Sequence, residues 1–469
     1  MKKLILLLTI LIHFKGIAQT YPSLTINLLA HLDPEKGTSA GDNRKYSGCW
    51  GWYQATKNKE YALVGTANQT YFIDVTNPTN PIICDSVKGK SVACTWREIK
   101  TYQNYCYIAS DGCTPSSFQI VDLKYLPDSV HVVSDNDTSY FYRAHTLFVD
   151  KDKLYAGGPT RKIGGTQSMF VYSLATPSVP VLMRELSQDV PSISYVHDMF
   201  VHNDTIFASA GNQGLQILTL TSTNNFSLLA SYSNYQNGGY NHSSWLTKNG
   251  KYLAFADEVP ASLPLKLIDV SDLTNIQSLS SINSHSLATP HNPYVMGNKW
   301  CWVSSYQDGL RLYDISNPLL PTEYGYFDTQ PQHGDNDNFS TSAYRGNWGA
   351  YPYLPSKIII ACDMQNGIFI LDGDNTYKAF ATSTQEVKIE NSLFSIYPNP
   401  ANEMLNFKCN ILNEPTLLTI INTLGVVVMQ KTISMQHSTF NIQHLISGIY
   451  YITLSNKDFS ETQKIIIQK

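Results

Sequence analysis

KWCWVSSYQDGLRLYDISNP, residues 299–318, is the stretch of sequence that decides the fold. It contains an apolar strand, a polar turn with a glycine, an alternating strand that ends at Asp314, and an Asn-Pro turn. The segment PHNPYV, which contains His291, precedes it, and the short strand PTEYGYF follows it. Four short strands in succession, without amphipathic helical spacing, predict one four-stranded antiparallel sheet.

The same pattern recurs along the chain, and each copy opens with an aromatic or histidine residue. Successive openings are 45 to 57 residues apart, a period typical of β-propeller blades and not of helical solenoids. We therefore predict an all-β fold, a seven-bladed β-propeller over residues 20–373. The openings of the seven copies are Trp50, Trp96, His145, His197, His242, His291 and Trp348.

The last copy ends at Asp372 without a fourth strand, whereas the strand LTINLLAHLD, Leu24 to Asp33, precedes the first copy. The last blade is therefore predicted to be closed by the N-terminal strand, which removes exposed sheet edges. A structural role is expected for the aspartates that end the third strands, because a carboxylate there can accept hydrogen bonds from the turn backbone. These aspartates are Asp74, Asp122, Asp269, Asp314 and Asp372.

Equivalent positions of the inner strands of a propeller surround one axis, so the seven opening side chains are predicted to form a ring at one mouth of the channel. Arg97, Glu98 and Asp198 are expected beside this ring. Three interpretations stay open. The histidines can hydrogen-bond the backbone of a neighbouring blade, the ring can recognise a ligand, or His145, His197, His242 and His291 can bind a transition metal.

Other candidate ligands are acidic. Asp257 and Glu258 follow the second strand of the fifth copy, and we expect them to lie in a loop away from the ring. The alternative is that one of them, like Glu98 or Asp198, orients the imidazoles of the ring. Residues 333–338, HGDNDN, gather oxygen ligands suited to Ca²⁺, although a solvated turn explains the same composition. No Ser-His-Asp order, Gly-x-Ser-x-Gly, His-Glu-x-x-His or phosphate loop occurs, so the sequence offers no catalytic residue.

Residues 1–19 have a basic start, a short apolar run and a small-residue cleavage site, which predict a signal peptide. No later apolar run is long enough to span a membrane as a helix, and a net charge of −4 without a basic patch argues against nucleic acid as a partner. An exported chain can form disulfides. The repeat spacing suggests Cys49–Cys94 and Cys106–Cys113 as pairs.

After a predicted linker, residues 374–391, the C-terminal region contains Tyr397-Pro398-Asn399-Pro400-Ala401, a hairpin at Leu424-Gly425, Ser447 to Tyr451, and Lys464 to Ile467. In these motifs, residues 392–469 resemble the C-terminal sorting domain of type IX secretion substrates of Gram-negative bacteria. The resemblance implies a small Ig-like β-sandwich that the type IX secretion machinery recognises at the outer membrane and removes, often in exchange for a lipopolysaccharide anchor. A module that stays attached is the alternative.

The repeats resemble the LVIVD-type propeller, and Trp50 to Asp372 is similar to the choice-of-anchor B family. The motifs that carry this resemblance are WREIKTYQNYCYI, HTLFVD, VHDMFV, HSSWLTKNGKYLAFADE, HNPYV, QDGLRLYD, GYFDT and NWGAYPYLPSKIIIACDMQNGIFIL. The resemblance implies a surface propeller and no defined activity.

The sequence therefore leaves three hypotheses about the function of the protein. The first is a cell-surface or extracellular binding scaffold for a glycan, peptide or matrix ligand. The second is a metal-dependent enzyme at the histidines, and the third is a structural adhesin.

Overall fold

The computed structural model describes residues 21–94, 96–113, 116, 118–136, 139–333, 344–373, 394–409, 416–422, 426–433, 437–456 and 460–469. The chain divides into two compact units between residues 378 and 379. The predicted signal peptide and linker lie outside the described residues, as do residues 334–338 of the candidate calcium loop.

The larger unit is a succession of antiparallel sheets, numbered here in chain order, in which the first strand of each copy is the inner strand. Sheets 1 to 3 are formed by Tyr46–Gln54, Lys59–Thr66, Gln69–Asp74 and Ile82–Lys88; by Trp96–Tyr102, Tyr105–Asp111, Phe118–Asp122 and His131–Asn136; and by Thr146–Asp150, Lys153–Gly157, Met169–Ser173 and Val181–Glu185. Sheets 4 and 5 are formed by Asp198–His202, Thr205–Ser209, Leu215–Leu220 and Phe226–Tyr232; and by Asn241–Leu246, Tyr252–Asp257, Leu265–Asp269 and Gln277–Ile282.

Sheets 6 and 7 complete the described part of this unit together with the N-terminal segment. Their own strands are Asn292–Met296, Trp300–Ser304, Leu310–Asp314 and Thr322–Phe327; and Asn347–Tyr351, Ile359–Asp363 and Gly367–Asp372. Each inner strand contacts the inner strands of both neighbouring sheets, and that of sheet 7 contacts that of sheet 1. The sheets therefore surround a common axis, which is the arrangement of a β-propeller.

The N-terminal segment closes the ring, as predicted. Asn27–Leu32 pairs antiparallel with Gly367–Asp372 and becomes the fourth strand of sheet 7. The preceding Ser23–Leu24 adds a fifth strand to sheet 6 by pairing with Thr322–Phe327. One segment thus covers the edges of two sheets and joins the start of the propeller to its end.

Four of the five aspartates that end the third strands have the predicted structural role, and for Asp372 this role stays a prediction. Asp74 accepts a hydrogen bond from the Thr76 amide at 2.9 Å, and Asp314 accepts one from the Ser316 amide at the same distance. Because the carboxylate satisfies a turn amide that the sheet leaves unpaired, it fixes the connection to the fourth strand.

The cores lie between adjacent sheets, and they explain why the predicted disulfides are wrong. Cys49 is buried in the apolar layer between sheets 7 and 1, and Cys106 is buried in the layer between sheets 1 and 2. The disulfide joins Cys94 to Cys113, whose Cα atoms are 5.2 Å apart. It connects the segment before the inner strand of sheet 2 to the loop after the second strand of that sheet.

The smaller unit contains two sheets and its own apolar core. One sheet has three strands, Phe394–Tyr397, Met404–Cys409 and His437–Asn441. The other has four, in the spatial order Val427–Ile433, Thr416–Asn422, Gly448–Ser455 and Ser460–Ile467. The Ig-like classification of this unit stays a prediction.

Candidate site in the central channel

Six of the seven opening side chains come together at one end of the channel, and we call this set the histidine ring. Neighbouring ring centroids from His145 through His197, His242 and His291 to Trp348 are 4.1 to 4.4 Å apart. Trp348 stacks on Trp96 at 4.4 Å with an interplanar angle of 8°. The set lines one narrow cavity, which encloses about 320 Å³ including the space at its opening.

Three imidazoles in the histidine ring are fixed by the backbone of the next sheet. Nδ1 of His197 lies 3.2 Å from the carbonyl oxygen of His242, and Nδ1 of His242 lies 3.1 Å from that of His291. Nδ1 of His291 lies 2.5 Å from the carbonyl oxygen of Trp348. Because a carbonyl only accepts hydrogen bonds, each Nδ1 carries a hydrogen, and Nε2 is the ring nitrogen that these three contacts leave unused. The same hydrogen bonds join adjacent sheets. The structural interpretation of these histidines therefore explains the role of Nδ1 and leaves the role of Nε2 unexplained.

The histidine ring also contains two electrostatic environments. Burial, helped by the neighbouring imidazoles, holds the pKa of His197 and of His291 well below the ordinary value, so both rings are neutral at pH 7. Burial acts in the same direction on His145, but the hydrogen bond and charge of Asp111, at 2.9 Å from Nδ1, outweigh it and raise the His145 pKa.

Glu258 lies beside the histidine ring, so the expectation that it points away is wrong. Its Oε2 is 3.8 Å from Nε2 of His242. The hydroxyl of Tyr306 donates to Glu258 Oε1 at 2.5 Å, and the hydroxyl of Tyr344 donates to the Glu258 carbonyl at 3.2 Å. Antiparallel pairing places the end of each second strand level with the start of its inner strand, and that is the signal that could have located Glu258.

Asp257, the neighbour of Glu258, is structural. It is fully buried, pairs with Lys266 at 2.9 Å and accepts hydrogen bonds from Tyr235 and Asn241. Its carboxylate is therefore occupied within sheet 5 and its adjoining loop.

Among the described residues, one group of three metal-ligating side chains has ligand atoms within 4.8 Å of one another, and it consists of His197, His242 and Glu258. Two of the four predicted histidine ligands belong to it. The third member is the carboxylate that was expected to lie elsewhere.

A polar layer lies next to the histidine ring along the channel. Thr146 donates to Asp198 at 2.9 Å, and Lys100 pairs with Glu98 at 3.0 Å. Burial, followed by the charge of Glu98, raises the pKa of Asp198. The predicted acidic residues therefore face the channel, and Lys100 supplies a positive charge that the sequence analysis did not single out.

Arg97 has a structural role. Its Nε donates to the Thr66 carbonyl at 2.9 Å, so the guanidinium is directed into sheet 1. Burial lowers its pKa to about 10, which leaves it charged at pH 7. The guanidinium packs against the backbone of Gly89, where a Cβ would displace it.

Trp50 lies away from the histidine ring, contrary to the prediction. Sheet 1 has the same register irregularity at the start of its inner strand as sheets 5 and 7, and it has Ser47 where those sheets have His242 and Trp348. Ser47 therefore lies at the level of the ring, where it accepts a hydrogen bond from the Arg97 amide at 3.1 Å. Trp50 follows Ser47 by three residues, so it lies further along the channel.

Trp50 belongs to a second cavity, the aromatic mouth, which encloses about 440 Å³ including its opening. Trp245 stacks on Tyr353 at 5.2 Å, and Trp50 meets the edge of Tyr351 at 4.7 Å. Most of these rings keep part of their surface exposed. The residues that line the aromatic mouth are Trp50, Lys100, Phe148, Val149, Trp245, Tyr351 and Tyr353.

The comparisons with solved structures give weak similarities to proteins with low identity. PorZ, a bacterial surface component of the type IX secretion system of Porphyromonas gingivalis, is 10% identical with a TM-score of 0.45. The alignment covers 93% of this chain and 61% of PorZ, so the chain spans about three fifths of that protein.

Two β-propeller domains are similar at the same level. Cps50 (Swd1) of Myceliophteria thermophila is 10% identical with a TM-score of 0.47, and the alignment covers 74% of this chain and 99% of that domain. The WD40 propeller of Doa1 is 9% identical with a TM-score of 0.49, and 74% of this chain and 96% of that domain are covered. None of the curated proteins matches the chain.

The family comparisons match both units. Residues 59–88 and 295–329 match the LVIVD repeat, and residues 395–468 match the secretion system C-terminal sorting domain. In the part of the chain that the structure describes, no helix has the length and apolarity needed to cross a membrane. The protein thus carries LVIVD repeats in an all-β propeller and a C-terminal sorting domain that directs it to export, to the cell surface or the extracellular space.

Proposed function

We propose that this exported protein is a binding scaffold that recognises a sugar-containing ligand at the aromatic mouth. The observation that carries the proposal is the concave set of partly exposed rings around Trp245, Tyr353 and Trp50 at the channel end. Ligand sites are typically concave and apolar with a few polar groups, and the aromatic mouth has this composition.

The chemistry of the lining favours sugars. The C–H faces of a sugar ring are apolar and stack on aromatic faces, while its hydroxyls need hydrogen-bond partners at the rim. The aromatic mouth supplies the faces of Trp245 and Tyr351. The ammonium of Lys100, 4.3 Å from the ring centroid of Trp50 and paired with Glu98, supplies a polar partner at the base.

The fold supports a binding role in a second way. Four of the five rings of the aromatic mouth lie on inner strands whose backbones are hydrogen-bonded within sheets, and Tyr353 lies two residues beyond the inner strand of sheet 7. Trp245 is on the inner strand of sheet 5, Tyr351 on that of sheet 7 and Phe148 on that of sheet 3. A preorganised site loses less conformational entropy on binding than a site built on loops.

The experiment is a glycan array probed with the full exported chain, followed by calorimetry on the glycans that bind. Trp245→Ala is expected to weaken binding at least ~10-fold, equivalent to about 1.4 kcal/mol. The matched control is Tyr125→Ala, which removes an exposed aromatic ring outside the channel.

Two results would overturn the proposal. One is an array without any bound glycan, and the other is a glycan whose affinity is the same for Trp245→Ala as for the unaltered chain. Binding of a peptide in place of a glycan at the aromatic mouth would contradict the proposed ligand class.

A further inference from the structure

We propose that the histidine ring holds one divalent transition-metal ion, bound by His197, His242 and Glu258 with His291 adjacent. This site lies at the other end of the channel from the aromatic mouth and does not depend on the proposed sugar binding. The inner strands place the two ends apart, since Phe148 and Trp245 follow the ring histidines of their strands by three residues, or about 10 Å of extended chain.

The first step of the argument is the state of the imidazole nitrogens. Nδ1 of His197 and Nδ1 of His242 donate to backbone carbonyls, which orients both rings and leaves Nε2 as the free donor atom. Metal-binding histidines are typically held in this way, with the second nitrogen donating to a carbonyl or carboxylate. The histidine ring therefore has the outer contacts of a metal site already in place.

The second step is the position of the carboxylate. Tyr306 donates to Oε1 of Glu258, and the other oxygen, Oε2, lies 3.8 Å from Nε2 of His242. The three ligand atoms are within 4.8 Å of one another. Ligands at about 2.0–2.2 Å in a tetrahedral site are roughly 3.4 Å apart, so closure around an ion requires movements of about 1 Å.

The third step is an independent observation at His291. This side chain is 1% exposed, and none of the described residues is a hydrogen-bond partner of its Nε2. A buried polar atom without a partner costs about 1–3 kcal/mol, so its presence calls for a ligand. The imidazole centroid is 4.3 Å from that of His242, so this side chain is the direct neighbour of one of the three proposed ligands.

The donor set limits the kind of ion. Imidazole nitrogens suit Zn²⁺, Fe²⁺, Co²⁺ and Cu²⁺, whereas Ca²⁺ and Mg²⁺ prefer an all-oxygen environment. The imidazoles of His197 and His242 supply lone pairs, and the carboxylate of Glu258 compensates part of the charge of a dication. The cavity is narrow, which suits an ion with one or two small ligands of its own.

The test uses Co²⁺ as the probe. The full exported chain, purified without a polyhistidine tag and stripped with EDTA, is titrated with CoCl₂ while its visible d–d absorption is recorded. We expect one Co²⁺ per chain and an increase in Tm on binding, because an ion that binds only the folded state stabilises it. His242→Gln and Glu258→Gln are each expected to weaken Co²⁺ binding at least ~100-fold.

Two further variants separate a metal site from a structural network. Tyr306→Phe keeps the aromatic side chain of residue 306 and removes the hydroxyl that holds Glu258. Because Tyr306 positions a ligand and does not bind the ion itself, we expect Co²⁺ binding to be about 10-fold weaker. His131→Gln, at an exposed histidine in sheet 2, is the matched control and must bind Co²⁺ like the unaltered chain.

The proposal is overturned if the unaltered chain binds no Co²⁺, or if His242→Gln and Glu258→Gln both keep full stoichiometry and affinity. If His242→Gln does not fold, the conservative Glu258→Gln decides the outcome, since Glu258 is only partly buried. Trp245 is not part of the metal site, so Trp245→Ala must keep Co²⁺ binding even where it loses sugar binding. The two proposals can therefore fail separately.

Discussion

The two ends of the channel are built from the same inner strands and differ in what their side chains contact. At the histidine ring, His242 and His291 donate to the backbone of the next sheet, so the side chains join sheets together. At the aromatic mouth, Trp245 and Tyr353 pack on each other and keep part of their surface exposed. One end of a propeller channel can thus contribute to closure of the ring of sheets while the other remains available for recognition.

The largest expected effect tests this difference with one tryptophan from each end. Trp348→Ala should lower the free energy of unfolding of the propeller by about 3–5 kcal/mol, because Trp348 is 8% exposed, stacks on Trp96 and packs against His291. Trp245→Ala, at a partly exposed position, should cost about 1–2 kcal/mol. Urea unfolding followed by tryptophan fluorescence measures both, and equal losses would contradict the division of roles.

A smaller effect is expected where the polar layer meets the aromatic mouth. Lys100→Met should cost about 2 kcal/mol, because it leaves the carboxylate of Glu98 without its partner in a half-buried channel. The double variant Glu98→Gln with Lys100→Met should recover part of this loss. A double-mutant cycle from urea unfolding gives the coupling energy, and additive losses would show that the pair does not stabilise the channel.

The sequence was sufficient to predict the repetitive part of the molecule. Alternating strands and turn residues predicted the sheets, and the unpaired strand at Asp372 predicted the closure by Asn27–Leu32. Both features depend on local periodicity and on the need to pair edge strands, which any copy of the repeat displays.

The errors occurred where one copy departs from the others. Trp50 was assigned to the ring because its residue type matched, but Ser47 is the residue of sheet 1 that corresponds to His242 in sheet 5. Glu258 was assigned to a distant loop, although its place at the end of a second strand brings it to the ring. The first error came from matching residue types where the position along the inner strand decides, and the second came from leaving out the antiparallel pairing of the second strand with the inner strand.

A third prediction concerns the polar layer itself. Thr146→Val preserves the shape of the side chain and removes the hydroxyl that donates to Asp198 at 2.9 Å. We expect a loss of about 1–2 kcal/mol, since a buried carboxylate then lacks one hydrogen bond. Thermal unfolding compares this variant with Thr146→Ser, which keeps the donor. If the two variants lose the same stability, the hydroxyl of Thr146 does not support Asp198.

The smallest effect is a change in pH dependence at the ring end of sheet 7. Asp363 is fully buried and lies opposite Asn347, at the start of the inner strand. Burial raises its pKa from 3.8 to about 6, despite hydrogen bonds from Thr329 and Asn366. A raised pKa means that the folded protein holds this proton to higher pH than the unfolded chain does. The contribution of Asp363 to stability therefore falls as the pH rises from about 4 to above 6.

Asp363→Asn removes this titration. Between pH 5 and pH 7, the unaltered chain should therefore lose about 1 kcal/mol of unfolding free energy relative to the variant. Urea unfolding at the two pH values measures the shift. Asp269→Asn is the control, because it makes the same change of side chain at the end of a third strand, where the carboxylate accepts a hydrogen bond from the Ser271 amide at 2.8 Å. A shift of opposite sign would mean that the hydrogen bonds from Thr329 and Asn366 stabilise the ionised carboxylate more than burial penalises it. The ring end of sheet 7 would then tolerate a buried negative charge, as the polar layer of the channel does.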